Sequence, residues 1–324
     1  MKDILITPGD AAGVGPEVAL KAIQALGGSL PLVCVGPAWL WTASAEALHL
    51  PVPGRLQEVP CLGGIEPRAI EYGKVAEVWG RIAMECVRAA TEACMHGTAA
   101  AMVTAPVTKE GIHLAGYDCE GHTDFIAGVT NAERHAMMVS AGPLRVVLAT
   151  VHQALRDVPG ALTADGIFDM IELAREAGTK MGIAQPRIAV CGLNPHAGES
   201  GAFGDEEEEI ILPAIHAAQL NGWAVSGPHP ADSVFRAARE GTYDFVIALY
   251  HDQGMIPVKL IDPDHGVNLT LGLPIVRTSP AHGSAYDIAG KGVARHGSMV
   301  EAIAVAARLA GEAVVERGQD GAGQ

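Results

Sequence analysis

Short apolar runs of strand-like sequence alternate with amphipathic helical stretches along almost the whole chain, and this alternation restricts the fold more than any other feature. The strand-like runs fall at Asp3–Thr7, Leu32–Gly36, Ala100–Thr104, Arg145–His152, Arg187–Gly192, Phe245–Tyr250 and Asn268–Leu271. Between them, Val75–His96 and Asp165–Met181 carry apolar residues three and four apart, the spacing of one helix face. Asp205–Leu220 opens on DEEEE, which suits the positive end of a helix dipole, and Asp232–Glu240 opens on an Asp-Ser cap signal. Ser298–Glu316 reads as a closing helix rich in Ala and Val. Strands and helices in this order bury their apolar faces against one another, so the chain is expected to form an α/β sheet with helices on its faces. At 324 residues it exceeds one small core and suits two lobes or one large α/β unit. No linker marks a boundary; the irregular segments near Tyr117–Thr123 and Leu271–Gly283 are the candidate crossings. Leu50–Gly64, rich in Pro and Gly, reads as loop, and the polar tail Arg317–Gln324 is expected to fray.

Composition excludes several classes of function. Hydrophobic residues make up 49% of the chain, yet no uncharged apolar run reaches membrane-spanning length. The start MKDILITPGD enters strand-like sequence without the apolar segment of a signal peptide, so a soluble cytoplasmic protein is expected. A formal net charge of −15 opposes binding to nucleic acid or anionic membranes, but leaves room for an anionic substrate in a locally basic pocket. Cys34, Cys61, Cys86, Cys94, Cys119 and Cys191 include no CxxC pair and several sit in apolar runs, which predicts reduced thiols.

Against that background His152, His196 and His251 stand out, each close behind an apolar run: LRVVLATVHQ, RIAVCGLNPH and FVIALYHDQG. Taken singly, each is a hydrogen-bonded histidine near a strand end. Three in one context point to a rim where imidazoles could meet on one divalent metal and leave a coordination position open. Asp252, beside His251, is placed to fix a histidine tautomer. Asp232, in GPHPADS, either caps the following helix or orients a substrate or metal-bound water. In EGHTDF, His122 and Thr123 supply polar donors, with a helix cap as the alternative for Thr123. Lys259 and Asn268 punctuate ALYHDQGMIPVKL and GVNLTLG, and a solvated surface lysine is the ordinary reading of the first. Arg277, in LPIVRTSP, sits in apolar sequence, where a guanidinium needs a partner; a carboxylate, a phosphate or a structural salt bridge would serve. HGSAYDIAGKG, with His282, Gly283, Ser284, Ala285 and Asp287, reads as a loop on which a flat or phosphorylated ligand can lie against backbone. TPGDAAGVGPEV is glycine-rich but lacks the GxGxxG spacing, and Gly198, Gly201 and Gly204 make the LNPHAGE loop pliable.

Taken together, PGDAAGVGPEV, TAPVTKEGI, GHTDF, LNPHAGE, GPHPADS, YHDQG, GVNLTLGLPIVRTS and HGSAYDIAGKG resemble the 4-hydroxythreonine-4-phosphate dehydrogenase family of pyridoxal phosphate biosynthesis, in family order from Thr7 to Gly292. The last segment also resembles the cofactor loop of the isopropylmalate and isocitrate dehydrogenases. The resemblance implies two α/β/α lobes with a cleft between them, isopropylmalate-dehydrogenase-like, with residues 1–118 plus 272–324 as the first lobe and 119–271 as the second, the latter carrying most metal and dimer contacts. It implies oxidation of a secondary alcohol with NAD or NADP, then decarboxylation to an aminoketone phosphate. His152, His196 and His251 would ligate one divalent metal (zinc, cobalt or magnesium), and His122, Thr123, Lys259, Asn268 and Arg277 would contact a small phosphorylated hydroxy acid. His282, Gly283, Ser284, Ala285 and Asp287 would hold the cofactor, Lys259 and Asp232 would be the candidate proton acceptors, and a homodimer would share its active sites. The family includes paralogues that act on threonate or erythronate 4-phosphate and relatives that act on cyclic diols; GHTD, Lys259, Asn268 and Arg277 favour the phosphorylated acids. A non-catalytic metal or metabolite binder and a metal hydrolase are the competing classes, separated by whether reduced nicotinamide is formed.

Overall fold

The structure is a computed structural model that describes residues 2–62, 64–65 and 67–311. The chain divides into two compact units, Met1–Thr130 with Ile275–Gln324, and Asn131–Pro274. The division falls after Thr130, so the segment 119–130 goes with the first unit, while 272–274 go with the second.

In the first unit, β1 (Asp3–Thr7), β2 (Leu32–Val35), β3 (Leu56–Gln57), β4 (Ala99–Thr104) and β11 (Arg277–Pro280) form parallel pairs in the order β3-β2-β1-β4-β11. Its longer helices are α1 (Gly15–Leu26), α2 (Ala38–Ala47), α3 (Glu77–Met95), α5 (His122–Thr130) and α11 (Gly297–Leu309), with a short α4 (Lys109–Leu114). Ile4, Leu5 and Ile6 of β1 are buried on both faces of the sheet, as an all-parallel sheet between helices requires. Trp79, Ile82, Ala83, Cys86, Val87 and Ala90 form the buried stripe of α3, which packs on β1 and β4.

In the second unit, β5 (Ala136–Ala141), β6 (Leu144–Leu148), β7 (Ile188–Cys191), β8 (Val225–His229), β9 (Phe245–Ala248) and β10 (Val267–Leu271) run in the order β10-β5-β6-β9-β7-β8. β10, β5 and β6 pair antiparallel; β6, β9, β7 and β8 pair parallel. The helices are α6 (Val158–Ala161), α7 (Ala164–Lys180), α8 (Leu212–Leu220), α9 (Ala231–Arg239) and α10 (His251–Ile261). Gly254 lets α10 lie close on β6, because a Cβ there would come within 2.9 Å of the Val146 side chain. This close seat fixes the helix whose first residue is His251.

Each strand-like run of the sequence contains a strand, but several boundaries differ. β6 ends at Leu148, so His152 stands four residues beyond the strand rather than at its tip. β11 lies inside a stretch that reads as irregular because a four-residue strand ending in Pro carries little alternation. The acidic run does not open a regular α-helix: Glu207–Ile211 forms a π-helical turn ahead of α8. Pro230, not Asp232, occupies the N-cap of α9. Residues 312–316 of the expected closing helix, and the tail after them, lie outside the described residues.

Candidate functional site

β6, β9 and β7 are neighbours and parallel, so their C-terminal ends share one edge of the second unit's sheet. From these ends the chain runs into the turns that carry His152, His251 and His196 in that order. Such an edge is where open α/β sheets bind ligands. The His152 and His251 rings approach to a centroid separation of 5.8 Å. They line a cavity of about 490 Å³ together with Gln153, Tyr250 and Asp252. His251 Nδ1 lies 2.7 Å from Asp252 Oδ1, and His196 Nδ1 lies 2.8 Å from Glu199 Oε2. A carboxylate only accepts, so each Nδ1 carries a proton, and in the neutral ring the lone pair is then on Nε2, the state a metal ligand needs.

His196 does not join the other two within the chain. Its side chain is 65% exposed, and its ring packs edge-on against Phe203. Among the described residues, no three His, Cys, Asp or Glu side chains are arranged to hold one metal ion. The imidazoles of His152 and His251, 5.8 Å apart between ring centroids, are donors of a kind that suits a divalent cation. The other residues expected here lie on nearby elements of the same unit. Lys259 is exposed on α10, about 12 Å along the axis from His251 at 1.5 Å per residue. Asp232 is exposed in the first turn of α9. Asn268 pairs across from Val139 on β5, and its side-chain oxygen is buried with no hydrogen-bond partner among the described residues.

The first unit gathers a second cluster. Arg277, only 4% exposed, opens β11 beside β4, and its Nε and Nη2 donate to Thr104 Oγ1 at 3.1 and 2.7 Å. Nη2 also donates to His122 Nδ1 at 3.2 Å, and Nη1 to Thr123 Oγ1 at 3.5 Å. Thr123 is thus the second residue of α5 and a hydrogen-bond acceptor, not its cap. Burial pushes the Arg277 guanidinium down to about 10, which still leaves it charged at neutral pH. Burial, and then the neighbouring Arg277, hold His122 well below the usual imidazole range. With Nδ1 accepting, the proton of neutral His122 sits on Nε2, which is buried and finds no partner among the described residues. A buried guanidinium and an imidazole N–H without a partner among the described residues thus lie at the start of α5, donors of the kind an anion accepts from.

His122 stays neutral in the fold below the pH at which it charges in the unfolded chain, so protons favour unfolding. Its contribution to stability is complete above about pH 6.5 and falls away below it. Thermal melts between pH 7.5 and 5 should show a steepening loss of Tm for the wild type and a shallower one for His122→Gln. Parallel curves would show that His122 does not set this dependence.

The segment expected to hold the cofactor comes after β11 in the first unit. His282 and Gly283 are exposed, and Ala285 adopts φ of 43°. Val14 N–H donates to Ser284 carbonyl oxygen at 2.9 Å, which fastens this loop to the TPGDAAG turn. Ser284 Oγ is buried without a partner among the described residues, and Asp287 is exposed. Sequence reasoning missed the clamp beneath it. Asp10, 1% exposed, accepts from Ala12 N–H at 2.9 Å and from the Tyr286 hydroxyl. Burial raises the Asp10 carboxyl above its ordinary range, against the pull of those hydrogen bonds. The sequence also gave no signal for Gln253, 7% exposed, which accepts from Leu249 N–H at 2.6 Å and donates to Gly192 carbonyl oxygen at 2.8 Å. It ties the turn before His251 to the strand end before His196.

The family described as "Pyridoxal phosphate biosynthetic protein PdxA" matches residues 38–306 of this sequence. The chain belongs to that family. It is 42% identical over 324 residues to the D-threonate 4-phosphate dehydrogenase of Salmonella typhimurium, covering 95% of this chain and 99% of that one. It is 45% identical over 320 residues to the 4-hydroxythreonine-4-phosphate dehydrogenase of Desulfosudis oleivorans, covering 93% and 94%. The crystal structure of the 4-hydroxythreonine-4-phosphate dehydrogenase from Klebsiella pneumoniae superposes with a TM-score of 0.85 at 38% identity, over 96% of this chain and 100% of that one. The fold is also that of a β-decarboxylating dehydrogenase from Thermococcus kodakarensis, with a TM-score of 0.54 at 15% identity over 96% of this chain and 84% of that one. Membership makes this family protein an NAD(P)-dependent oxidoreductase, as the motifs imply. Among the described residues, no helix is long and apolar enough to cross a membrane.

Proposed function

We propose that this family member oxidises the secondary alcohol of 4-hydroxythreonine 4-phosphate and that the resulting β-keto acid loses CO2 to give an aminoketone phosphate. The set of buried Arg277 and His122 with half-buried Thr123 carries the reading, because a guanidinium held among hydroxyls and a neutral imidazole suits the anionic group of such a substrate. A second reading, the same chemistry on D-threonate or D-erythronate 4-phosphate, is favoured by the 42% identity to a D-threonate 4-phosphate dehydrogenase.

In either case Arg277 and His122 Nε2–H would grip the anion, and Thr123 and Asn268 would orient the carbon chain. His152, His251 and His196 would hold one divalent metal, zinc or cobalt suiting imidazole donors better than magnesium. The first two come as a pair within the chain, so His196 would come from a second copy, in a homodimer with shared active sites. His282, Gly283, Ser284, Ala285 and Asp287 would seat NAD or NADP, with NAD preferred because no arginine is evident for a 2′-phosphate. When bound, the nicotinamide accepts hydride and the metal polarises the alcohol oxygen. Either Lys259 or Asp232 would take the hydroxyl proton. The six free thiols and the acidic surface suit a cytoplasmic enzyme that meets small metabolites rather than nucleic acid or membrane.

A panel of 4-hydroxythreonine, D-threonate and D-erythronate 4-phosphates, under identical metal and cofactor conditions, tests the assignment by the rate of reduced nicotinamide formed. The leading reading expects the amino-bearing substrate to have the highest kcat/KM. A preference of about tenfold or more for a non-amino acid, roughly 1.4 kcal/mol, would move the assignment to the second reading. No reduction with any of them would leave a binder.

A further inference from the structure

The geometry points to Glu207 as a positioning residue that sets the place of His196, through a buried carboxylate that gathers the start of the His196 turn. The inference rests on the proposed role of His196 as a metal ligand. The acidic run DEEEE looks like a solvated helix start, yet Glu207 is only 3% exposed. One of its oxygens, Oε1, accepts from both Leu193 N–H and Asn194 N–H at 2.8 Å. The other, Oε2, accepts from Asn194 Nδ2 at 2.9 Å. Asn194 Nδ2 reaches Glu206 Oε2 as well, at 2.7 Å, so two adjacent acids hold one asparagine.

Beyond Asn194 and Pro195 the backbone keeps a positive φ for six residues: His196 at 53°, Ala197 at 54°, Gly198 at 81°, Glu199 at 47°, Ser200 at 55° and Gly201 at 84°. L-residues adopt that region only when their surroundings impose it. Glu207 is part of those surroundings on two sides. It fixes the residues that enter the run, and Gly198 passes so close that a Cβ would sit 2.7 Å from Glu207 Oε2. The π-helical turn that begins at Glu207 places this carboxylate inward at the end of β7. Three N–H donors converge on an acceptor-only group, and no neutral side chain reproduces that arrangement. A glutamine would turn an NH2 either toward two backbone N–H groups or toward the Asn194 amide, and would leave buried donors unmatched. Glu207 bonds to Leu193 and Asn194 rather than to an imidazole. It acts through His196, whose own ring is hydrogen-bonded to Glu199 at the far side of the turn.

The test uses the full-length, metal-stripped protein, with zinc titrated alone by calorimetry, for wild type, His196→Ala and Glu207→Gln. Amide hydrogen exchange of residues 193–200 is read on the same samples. His196→Ala should weaken zinc binding strongly, and Glu207→Gln should weaken it about 10- to 100-fold with faster exchange at Leu193 and Asn194. If His196→Ala loses affinity while Glu207→Gln binds zinc as the wild type does, the positioning role is overturned and the ligand role stands. If His196→Ala itself binds as the wild type, the reading of His196 fails and the inference falls with it. Should Glu207→Gln not fold, Asn194→Ala, which removes the side-chain arm alone, should still weaken zinc binding several-fold; unchanged affinity in that variant overturns the proposal.

Discussion

His251→Ala should lower kcat/KM by about 10³-fold or more, on the scale of losing charge stabilisation in the reacting state, while the protein stays folded. His251 is the first residue of α10, and its side chain is only one-third exposed, but it is not part of the apolar core. The cap it follows, Tyr250, makes no side-chain capping bond, and the helix is anchored instead by Met255 and Val258 and by the close approach of Gly254 to β6. Truncation should therefore cost little stability. Its functional cost follows from the proposed metal role, because a site of three imidazoles would bind its metal weakly after losing one, here the ring beside His152 at 5.8 Å whose Nδ1 bonds Asp252. Steady-state rates measured over a zinc or cobalt titration, with far-ultraviolet circular dichroism as the control for folding, check the prediction. Activity within tenfold of wild type at low metal would remove His251 from the metal site.

The architecture was legible because strands buried on both faces announce themselves. FVIALY and DILIT are short, apolar and bounded by polar sequence, and both became central strands. The site was legible in part. The three histidines drew notice by their position behind such runs, and the adjacency of β6, β9 and β7 gives that position its meaning. Their grouping was not legible, since spacing along the chain carries no information on which ring faces which. Arg277 was legible as an anomaly, a guanidinium in apolar sequence, but not its partners: Thr104 lies 173 residues away at the end of β4, and nothing local announces it. Glu207 was hidden for the opposite reason. Within four consecutive glutamates only Glu207 is buried, and the π-helical turn that selects it has no clear signature in the side-chain pattern. Asp10 and Tyr286 share the difficulty of Thr104, since their hydrogen bond spans 276 residues.

Arg277→Lys should reduce kcat/KM for the phosphorylated substrate by about 10²- to 10³-fold, on the scale of roughly 3–4 kcal/mol for losing one partner of a buried charge contact. Lysine keeps the positive charge but not the fork. In the wild type the guanidinium plane spans Thr104 on one edge and His122 and Thr123 on the other, and an ammonium cannot serve both. The loss should fall mainly on KM, because a contact to a group that does not react contributes equally to ground and transition states. Inorganic phosphate offers a check that does not depend on turnover: it should compete with substrate in the wild type and much less in the variant. His122 supplies a second readout. Burial is the larger cause of its low pKa and Arg277 the smaller, so Arg277→Met should flatten the acid-side loss of Tm only partly. A lysine variant with wild-type KM and wild-type phosphate inhibition would mean that Arg277 only braces β4 against α5, and the anion would have to be sought elsewhere.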